Sequence, residues 1–303
     1  MIDLFIGKNS PTGSLVWGKS GGGSSHDSGD GIALDANDNI LVAGTFTGTA
    51  NFGSIGLTAT DGGGGNFVAK LDAVGNFLWA RNQGTCGCLP ADVAADPEGN
   101  VYTTGAFGGT ADFDPGPGLA NLTSVGDLDI FASKLDLSGN FMWAMRAGGG
   151  SLEGSSGTND SGRGIVVDAN GNVYMGGRFA LTADFGSTTL TSKGPNDAFL
   201  AKLDSTGNFV WARRMGGTLD PAGDMSGRLA LESGGNLLIA GSFAGIGDFG
   251  ATTLTGFNES RGIFLAKLDS SGNFLWAKQL APIGDAINGG IAVDATANVY
   301  MTG

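Results

Sequence analysis

Basic residues are scarce in this chain. Its 303 residues include 16 Lys and Arg against 29 Asp and Glu, a net charge of −13. A field of that sign repels phosphate backbones and anionic headgroups, so neither nucleic acid nor simple electrostatic membrane attachment is expected. Two cysteines, Cys86 and Cys88, and one histidine, His26, are too few for a four-ligand zinc site. The cysteines of GTCGCLP read as a loop dithiol or a strained local disulfide, and the lack of Cys elsewhere permits an extracellular setting without requiring it. No run of 18 apolar residues is present, so no helical membrane span is expected. The first residues, MIDLFIGKNSPTG, lack the basic and apolar regions of a signal peptide. Only 8 Pro and 15% charged residues leave no case for collagen, Pro-rich disorder or a coiled coil.

What the chain has is glycine, 57 residues, with 41% hydrophobic residues, enough for a sizeable core. The tryptophans Trp17, Trp79, Trp143, Trp211 and Trp276 are spaced by 62, 64, 68 and 65 residues, and each ends one copy of a gap-free segment of the type FLAKLDSTGNFVW. A second segment, of the type GIVVDANGNVYMGG, begins at Gly31, Asp92, Gly164, Arg228 and Gly290. Each unit therefore reads as four short strands, a and b joined by DANGN, c and d joined by DSTGN. In D-x-x-G-N the Asp suits the cap of a type I turn and the Gly the left-handed position of a bulge. Gly44, Gly105, Gly177, Gly241 and Gly303 recur inside strand b, where a missing side chain marks a close backbone approach, here expected from a neighbouring sheet. The Trp column and these glycines are structural expectations.

Strands a and b are apolar or small at nearly every position, which implies sheets covered on both faces. Small four-stranded sheets stacked around an axis satisfy this, so the expected fold is all-β, a propeller of about five four-stranded blades. A single domain, 1–303, is expected, with units at about 1–22 plus 290–303, 31–82, 92–147, 164–216 and 228–280. The fifth blade would be split between the ends, since the chain starts on strands c and d and stops on a and b. The alternative is an open arc cut from a larger propeller, for example a seven-bladed one.

The repeat resembles the bacterial SBBP beta-propeller repeats. The likeness rests on D-x-x-G-N-[VIL]-Y-x-x-G at Asp168 to Gly177 and Asp96 to Gly105, on D-x-F-x-x-K-L-D-x-x-G-N-F-x-W-A at Asp197 to Ala212, and on Phe113 to Gly118. It covers essentially the whole chain. The resemblance implies a secreted or surface-displayed bacterial propeller with no agreed catalytic residues. The count of five units departs from seven, and the first copy has Asn9 and Ser14 where the motif has Asp and Asn.

Of the 18 Phe, all but Phe257 fall in four repeat columns, the recurrence that packing between blades requires. Lys8, Lys70, Lys134, Lys202 and Lys267 share a column, and Lys19, Arg81, Arg213 and Lys278 another; both are expected to pair with nearby carboxylates. The connections from d to a vary, and variable loops on a rigid ring are where binding residues are usually placed. There Asp27, Asp160 and Asp224 share a column, with Asp285 displaced by one position. A near-ring of such carboxylates would suit Ca²⁺ or sugar hydroxyls, and the same residues read equally as turn caps. Asp112 with Asp114, and Asp35 with Asp38, faintly resemble calcium loops but lack the D-x-D-x-D-G pattern.

No catalytic residue, resident metal or cofactor is assigned. Neither a phosphate-cradling G-x-x-x-x-G-K-[ST] loop nor a G-x-S-x-G elbow beside His26 is read. The expected function is non-catalytic binding or display outside the cell, with the variable loops contacting a protein, a glycan or a surface polymer. The alternative is a carbohydrate-active enzyme using Asp27, Asp160, Asp224 and Glu153, which the repeated placement disfavours because hydrolysis needs an asymmetric pair.

Overall fold

A computed structural model describes residues 3–59, 64–84, 89–150, 159–217, 225–256, 262–282 and 289–302. Among them there is no helix, and the strands form antiparallel sheets of the order a-b-c-d. The first sheet is Ser28–Leu34, Ile40–Thr47, Gly64–Leu71 and Phe77–Asn82. The second is Leu89–Ala95, Val101–Phe107, Asp129–Leu135 and Phe141–Ala147. The third is Ser161–Val167, Val173–Phe185, Thr188–Leu203 and Phe209–Met215. The fourth is Met225–Leu231, Leu237–Phe243, Gly262–Leu268 and Phe274–Pro282. All-β architecture built from repeated four-stranded antiparallel sheets is the propeller-like fold expected from the sequence.

The D-x-x-G-N segments form the hairpin turns for a local reason. In the turn at Asp168, Oδ1 accepts from the amides of Asn170 and Asn172, each at 2.9 Å, and Oδ2 accepts from the Asn172 side chain at 2.8 Å. The backbone closes with Gly171 N donating to Asp168 O, and Gly171 sits at φ 75°, a conformation that a Cβ disfavours. Tyr174, the other motif residue, donates its hydroxyl to Oδ2 at 3.3 Å. Replacing Asp168 by Ala is expected to lower stability by about 1–2 kcal/mol, since several donors lose their acceptor at a half-buried turn. Urea unfolding measures it, and an unchanged midpoint would remove the turn from the list of stabilising features. In the first copy the hydrogen bonds place Ser10, not Asn9, in the Asp position: Ser10 Oγ accepts from Ser14 N at 3.1 Å. The motif is thus shifted by one residue from the reading above, and a hydroxyl replaces the carboxylate.

The connection from b to c is a second hairpin. Thr49–Phe52 pairs with Ile55–Thr58, Thr110–Asp112 with Asn121–Thr123, and Ile246–Phe249 with Thr252–Thr255. In the third sheet the same hairpin continues strands b and c, after a break in register between Ala180 and Thr182. The pivot has positive φ at Gly48 (72°), Gly109 (67°) and Gly245 (71°), and at Leu181 (51°) in the third repeat. This hairpin reaches back to the end of the preceding strand d. Gly22 and Gly23 pair with Asn51 and Ala50, Gly84 N donates to Asp112 O, and isolated bridges join Gly148 to Asp184 and Gly216 to Asp248. A Cβ on Gly23, Gly149 or Gly217 would lie 1.8, 1.9 or 1.9 Å from a carbonyl oxygen of the hairpin's pivot. The glycines opening the d-to-a loops therefore form a repeated latch and are not flexible loop filler.

The strand b glycines serve a different contact from the one expected. A Cβ on Gly44 or Gly177 would stand 1.9 or 2.0 Å from the carbonyl oxygen of Ser28 or Ser161, in strand a of the same sheet, and 2.8 Å from the ring of Phe67 or Phe199. The cause is a register shift in strand a, between Gly29 and Gly31 and between Gly162 and Gly164, that pushes a carbonyl toward strand b. Gly241 lies in the fourth strand b, and Gly303 lies outside the described residues. The glycines that do face a neighbouring sheet are Gly31 and Gly164 in strand a, where a Cβ would meet Asp92 Cα at 2.8 Å and Gly227 O at 2.9 Å.

Aromatic side chains fill the layers. Phe185 contacts Phe179, Phe199 and Phe209 with centroids 6.3, 4.8 and 5.7 Å away. In the layer between the third and fourth sheets, Phe243, Phe249 and Phe264 pack with Leu200, Trp211 and Met215. This is the inter-sheet role the Phe columns imply. Two of the Trp residues also fasten the next sheet: the indole N–H of Trp79 donates to Leu137 O at 3.1 Å and that of Trp211 to Ser270 O at 3.3 Å. These acceptors belong to the next c–d turn, whose Gly139 or Gly272 lies under the indole at 3.0 or 2.9 Å from where a Cβ would be.

The chain divides into two compact units, Met1–Thr123 with Ala132–Met145, and Ser124–Phe131 with Arg146–Gly303. In a repeat array each sheet contacts only its neighbours, so a partition can fall along the array. Strands c and d of the first copy, Leu4–Asn9 and Leu15–Gly23, join a sheet with the Thr49–Phe52 hairpin, while Gly290–Val293 and Val299–Thr302 form a separate two-stranded sheet. The latch at Gly22 and Gly23 holds the former pair in its sheet. Phe5 is 81% exposed where Phe67 and Phe199 are 0%, and Tyr300 is 59% exposed where Tyr102 is 0%.

Candidate functional site

Asp27 and Asp160 occupy equivalent places, and both are buried. Asp27 accepts from Gly23 N at 2.7 Å and Thr47 N at 3.1 Å. Asp160 accepts from Gly149 N at 2.9 Å and Ala180 N at 2.8 Å. Each carboxylate thus ties the latch glycine to the end of strand b, across a loop that would otherwise leave two amides without these acceptors. These two residues carry the turn-cap reading of the column, and neither presents a free carboxylate to solvent. Asp224, Asp285, Glu153, Cys86 and Cys88 lie outside the described residues.

A second carboxylate stands beside Asp160. A Cβ on Gly148 would meet Asp129 Oδ1 at 2.6 Å and Asp160 Oδ2 at 2.8 Å, so only glycine fits between them. Asp129 accepts from Val125 N at 2.9 Å and from the Arg146 guanidinium. Burial raises the pKa of Asp129, and burial together with the charge of Asp129 pushes Asp160 up to about 7. The Asp129–Arg146 pair recurs as Asp197–Arg214, at 2.6 Å. Where the other sheets have Gly65 and Gly262 in place of the Asp, they have Asn82 and Gln279 in place of the Arg. In these four sheets charge is present on both sides of this pair or on neither, which keeps a buried ion from being stranded; the first copy has Asp3 with Ser20, and its Asp3 is exposed.

The repeated cations are absorbed in the same way. Lys70 pairs with Asp35 at 2.8 Å, Lys134 with Asp96 at 3.5 Å and Lys267 with Glu232 at 2.7 Å. Lys8 and Lys202 instead donate to Ala73 O and Ser270 O, and Arg81 and Arg213 donate to Gly139 O and Gly272 O. The expected pairing with carboxylates therefore holds for part of one column. The other cations bind carbonyls of the next turn. Asp112 accepts from Asp114 N and Ala120 N, and Asp114 from Gly116 N, so these loops close on themselves. Among the described residues no group of three His, Cys, Asp or Glu stands close enough to hold a metal.

Both motifs excluded above do occur as strings. Gly13 to Ser20, GSLVWGKS, satisfies the phosphate-loop spacing, and Gly18 to Gly22, GKSGG, satisfies that of a nucleophile elbow. Their residues lie on a c–d turn and on strand d, Leu15–Gly23, paired with Leu4–Asn9. A phosphate cradle and an elbow both need a loop leading into a helix, so neither string has its chemistry here. The open grooves are shallow ones between neighbouring turns. One of about 680 Å³ is lined by Ile55, Leu57, Arg81, Asp114, Pro117 and Phe141, with Asp114 its one carboxylate.

Sequence reasoning passed over three arginines. Arg163, Arg178 and Arg228 stand in columns occupied elsewhere by Asp30, Thr45 and Gly31 among others. Departure from an otherwise regular column is the signal that would have found them.

Comparison with known proteins agrees with the repeat. Residues 151–178 match the SBBP family model, described as a beta-propeller repeat. The chain is 22% identical over 369 aligned residues to an uncharacterized WD repeat-containing protein, L264, of Acanthamoeba polyphaga mimivirus, covering 99% of this chain and 26% of that protein. It is 27% identical over 142 residues to the regulatory protein FlaEY of Caulobacter vibrioides, covering 46% of this chain and 14% of that protein. The chain thus spans about a quarter or less of the length of these relatives. A protein of unknown function from Bacteroides caccae aligns over 91% of this chain and 93% of its own, at 11% identity and a TM-score of 0.40.

Proposed function

We propose, for a chain that is a beta-propeller repeat protein of the SBBP type, that it serves as a non-catalytic binding scaffold, displayed outside the cell, whose ligand is a protein, a glycan or a surface polymer. The observation that carries this reading is the use made of the repeated charges. Asp27 and Asp160 hold backbone amides, and the Lys column holds carboxylates and turn carbonyls. A hydrolytic centre needs two carboxylates facing one open cleft. The described carboxylates of the d-to-a column are spent on the fold. Extracellular display is supported by the resemblance to secreted SBBP repeats, and cell fractionation tests it. Recovery of the native protein only in the cytoplasm would reject it.

The same reading completes a blade from the terminal half-sheets. Exposed Phe5 and Tyr300 are residues that whole sheets bury, and two bare strand edges favour pairing. Light scattering would give a monomer if the chain closes on itself, and oligomers would reject closure. For the scaffold itself, the decisive measurement is binding and product release on the same polysaccharide panel. Retention without new reducing ends is the expected result. Turnover that is lost in Asp160→Asn would replace the scaffold by the enzyme. A calcium-dependent version is tested by melting with Ca²⁺ and with chelator, where an unchanged midpoint dismisses a structural ion.

A further inference from the structure

We propose that the groove between the first and second sheets binds a neutral sugar ring of a glycan chain. The inference rests on the scaffold reading for the existence of a ligand, and adds where that ligand sits and what it is. The groove holds about 680 Å³, a size ordinary for small-ligand sites. All of its residues belong to the unit Met1–Thr123 with Ala132–Met145. The end of strand d of the first sheet forms one wall and the c–d turn of the second sheet the other. Arg81 fastens the two walls, Nε donating to Gly139 O at 3.1 Å and Nη2 to Ser138 O at 3.2 Å.

The third and fourth sheets have the same groove. There Arg213, Arg214, Gly250, Gly272 and Phe274 stand where the first groove has Arg81, Asn82, Asp114, Gly139 and Phe141. Two of these five positions differ. Arg214 is taken up by ion pairs with Asp197 at 2.6 Å and Asp248 at 3.3 Å, whereas Asn82 has a buried Oδ1 with no hydrogen-bond partner. Gly250, like Gly53 and Gly186, has φ 65°, the conformation that favours glycine in so tight a turn. Asp114 replaces it in a longer hairpin, where Asp112 pairs with Asn121 while Asp184 in the third sheet pairs with Thr189. The repeat is therefore broken at two points that meet in one groove, and both breaks leave polar atoms uncommitted.

Asp114 Oδ1 accepts from Gly116 N at 2.7 Å. Its Oδ2 is kept open by Gly118, where a Cβ would lie 2.2 Å from that oxygen. The amide of Asn82 gives up no bond of its Oδ1 when it turns toward a ligand. A carboxylate oxygen accepts and a carboxamide both donates and accepts, the complement of adjacent hydroxyls, each of which does both. Leu57, Pro117 and Phe141 add an apolar wall for the C–H face of the ring. Arg81 is turned to carbonyls, and an acidic sugar would meet Asp114 and the field of a chain at −13, so the neutral ring is favoured.

The test titrates the intact chain with maltotriose, cellotriose and mannotriose by calorimetry, and screens a tryptic casein digest by saturation-transfer NMR. At least one trisaccharide is expected to bind saturably. Binding is expected to weaken about tenfold in Asp114→Asn, which keeps an acceptor for Gly116 N, and in Gly118→Ala, which covers Oδ2. Asn82→Ala is expected to weaken it likewise without lowering the melting temperature, because its Oδ1 has no partner to lose; a merely structural Asn82 would lower it. Lys278→Gln, at an exposed position of the fourth sheet, is expected to leave binding unchanged. Absence of trisaccharide binding, or equal binding in every variant, overturns the site. Peptide signals lost in the same variants would give the groove to a peptide and overturn the sugar. New reducing ends would instead reject the scaffold reading on which the site rests, so the two failures are told apart.

Discussion

Gly149→Ala is expected to destabilise the protein by about 3–4 kcal/mol, while Gly150→Ala, one residue away, shifts it by no more than about 0.5 kcal/mol. Gly149 N donates to Asp160 Oδ2, and a Cβ at this position would lie 1.9 Å from Thr182 O, 3.0 Å from its carbonyl carbon and 3.4 Å from Ala183 Cα. Backbone cannot rotate away as a side-chain tip can, so the hairpin must separate from strand d by more than an ångström. That opens the bridge between Gly148 and Asp184 and withdraws the amide that Asp160 holds. A Cβ on Gly150 meets nothing within 4 Å. The two variants have the same composition, so the difference in urea midpoint isolates the latch. Equal midpoints would mean that the hairpin is not fastened there in solution. Gly23→Ala and Gly217→Ala, in the same column, are expected to follow Gly149→Ala.

That latch marks the limit of what the sequence alone discloses. The D-x-x-G-N turns were legible because every bond they make is local: Asp168 reaches Asn170 and Asn172, and Gly171 supplies the left-handed backbone. The Trp column was legible as a repeat, but its target was not, since Trp211 bonds Ser270, 59 residues on. The b-to-c connections differ in length and composition, so their common hairpin and its return to the preceding strand d stayed hidden. Asp27 and Asp160 misled for the same reason. A carboxylate in a polar loop resembles a ligand group until the amide 20 residues away, Thr47 or Ala180, is seen to need it. Asn9 stands one residue out of register with the Asp position, which Ser10 takes, its hydroxyl accepting from Ser14 N. Conversely, Arg163, Arg178 and Arg228 each depart from an otherwise regular column, and their place beside one another emerges only when two sheets are set side by side.

Stability is expected to fall as pH rises from about 4 to about 7, and Asp160→Asn is expected to abolish most of that slope. Burial, with the charge of Asp129, lifts Asp160 to about 7 in the folded chain, from an ordinary value of 3.8, against the opposing influence of Arg178 and the amides of Gly149 and Ala180. Between those two values the folded state holds a proton that the unfolded state has lost. Unfolding therefore releases a proton, and raising the pH favours the unfolded chain. Lifting the carboxyl from 3.8 to about 7 corresponds to about 4 kcal/mol as an upper bound. Asp129, also raised, adds to the same slope. The motif carboxylates act elsewhere on the scale: hydrogen bonds to Asn and Thr hold Asp168 and Asp204 below the usual range, so the stability they add is present above about 4 and is lost only as the pH falls further. The two groups thus bracket a maximum near pH 4–5. Urea unfolding at pH 4.5, 5.5, 6.5 and 7.5 measures the slope. In Asp160→Asn the amide carbonyl still accepts one of the two N–H groups, so the variant starts less stable but varies little across this range. A parent protein that gains stability toward pH 7.5, or a variant that keeps the parent's slope, would show that the carboxylate of Asp160 is ionised in the folded chain and that the loop opens to water around it.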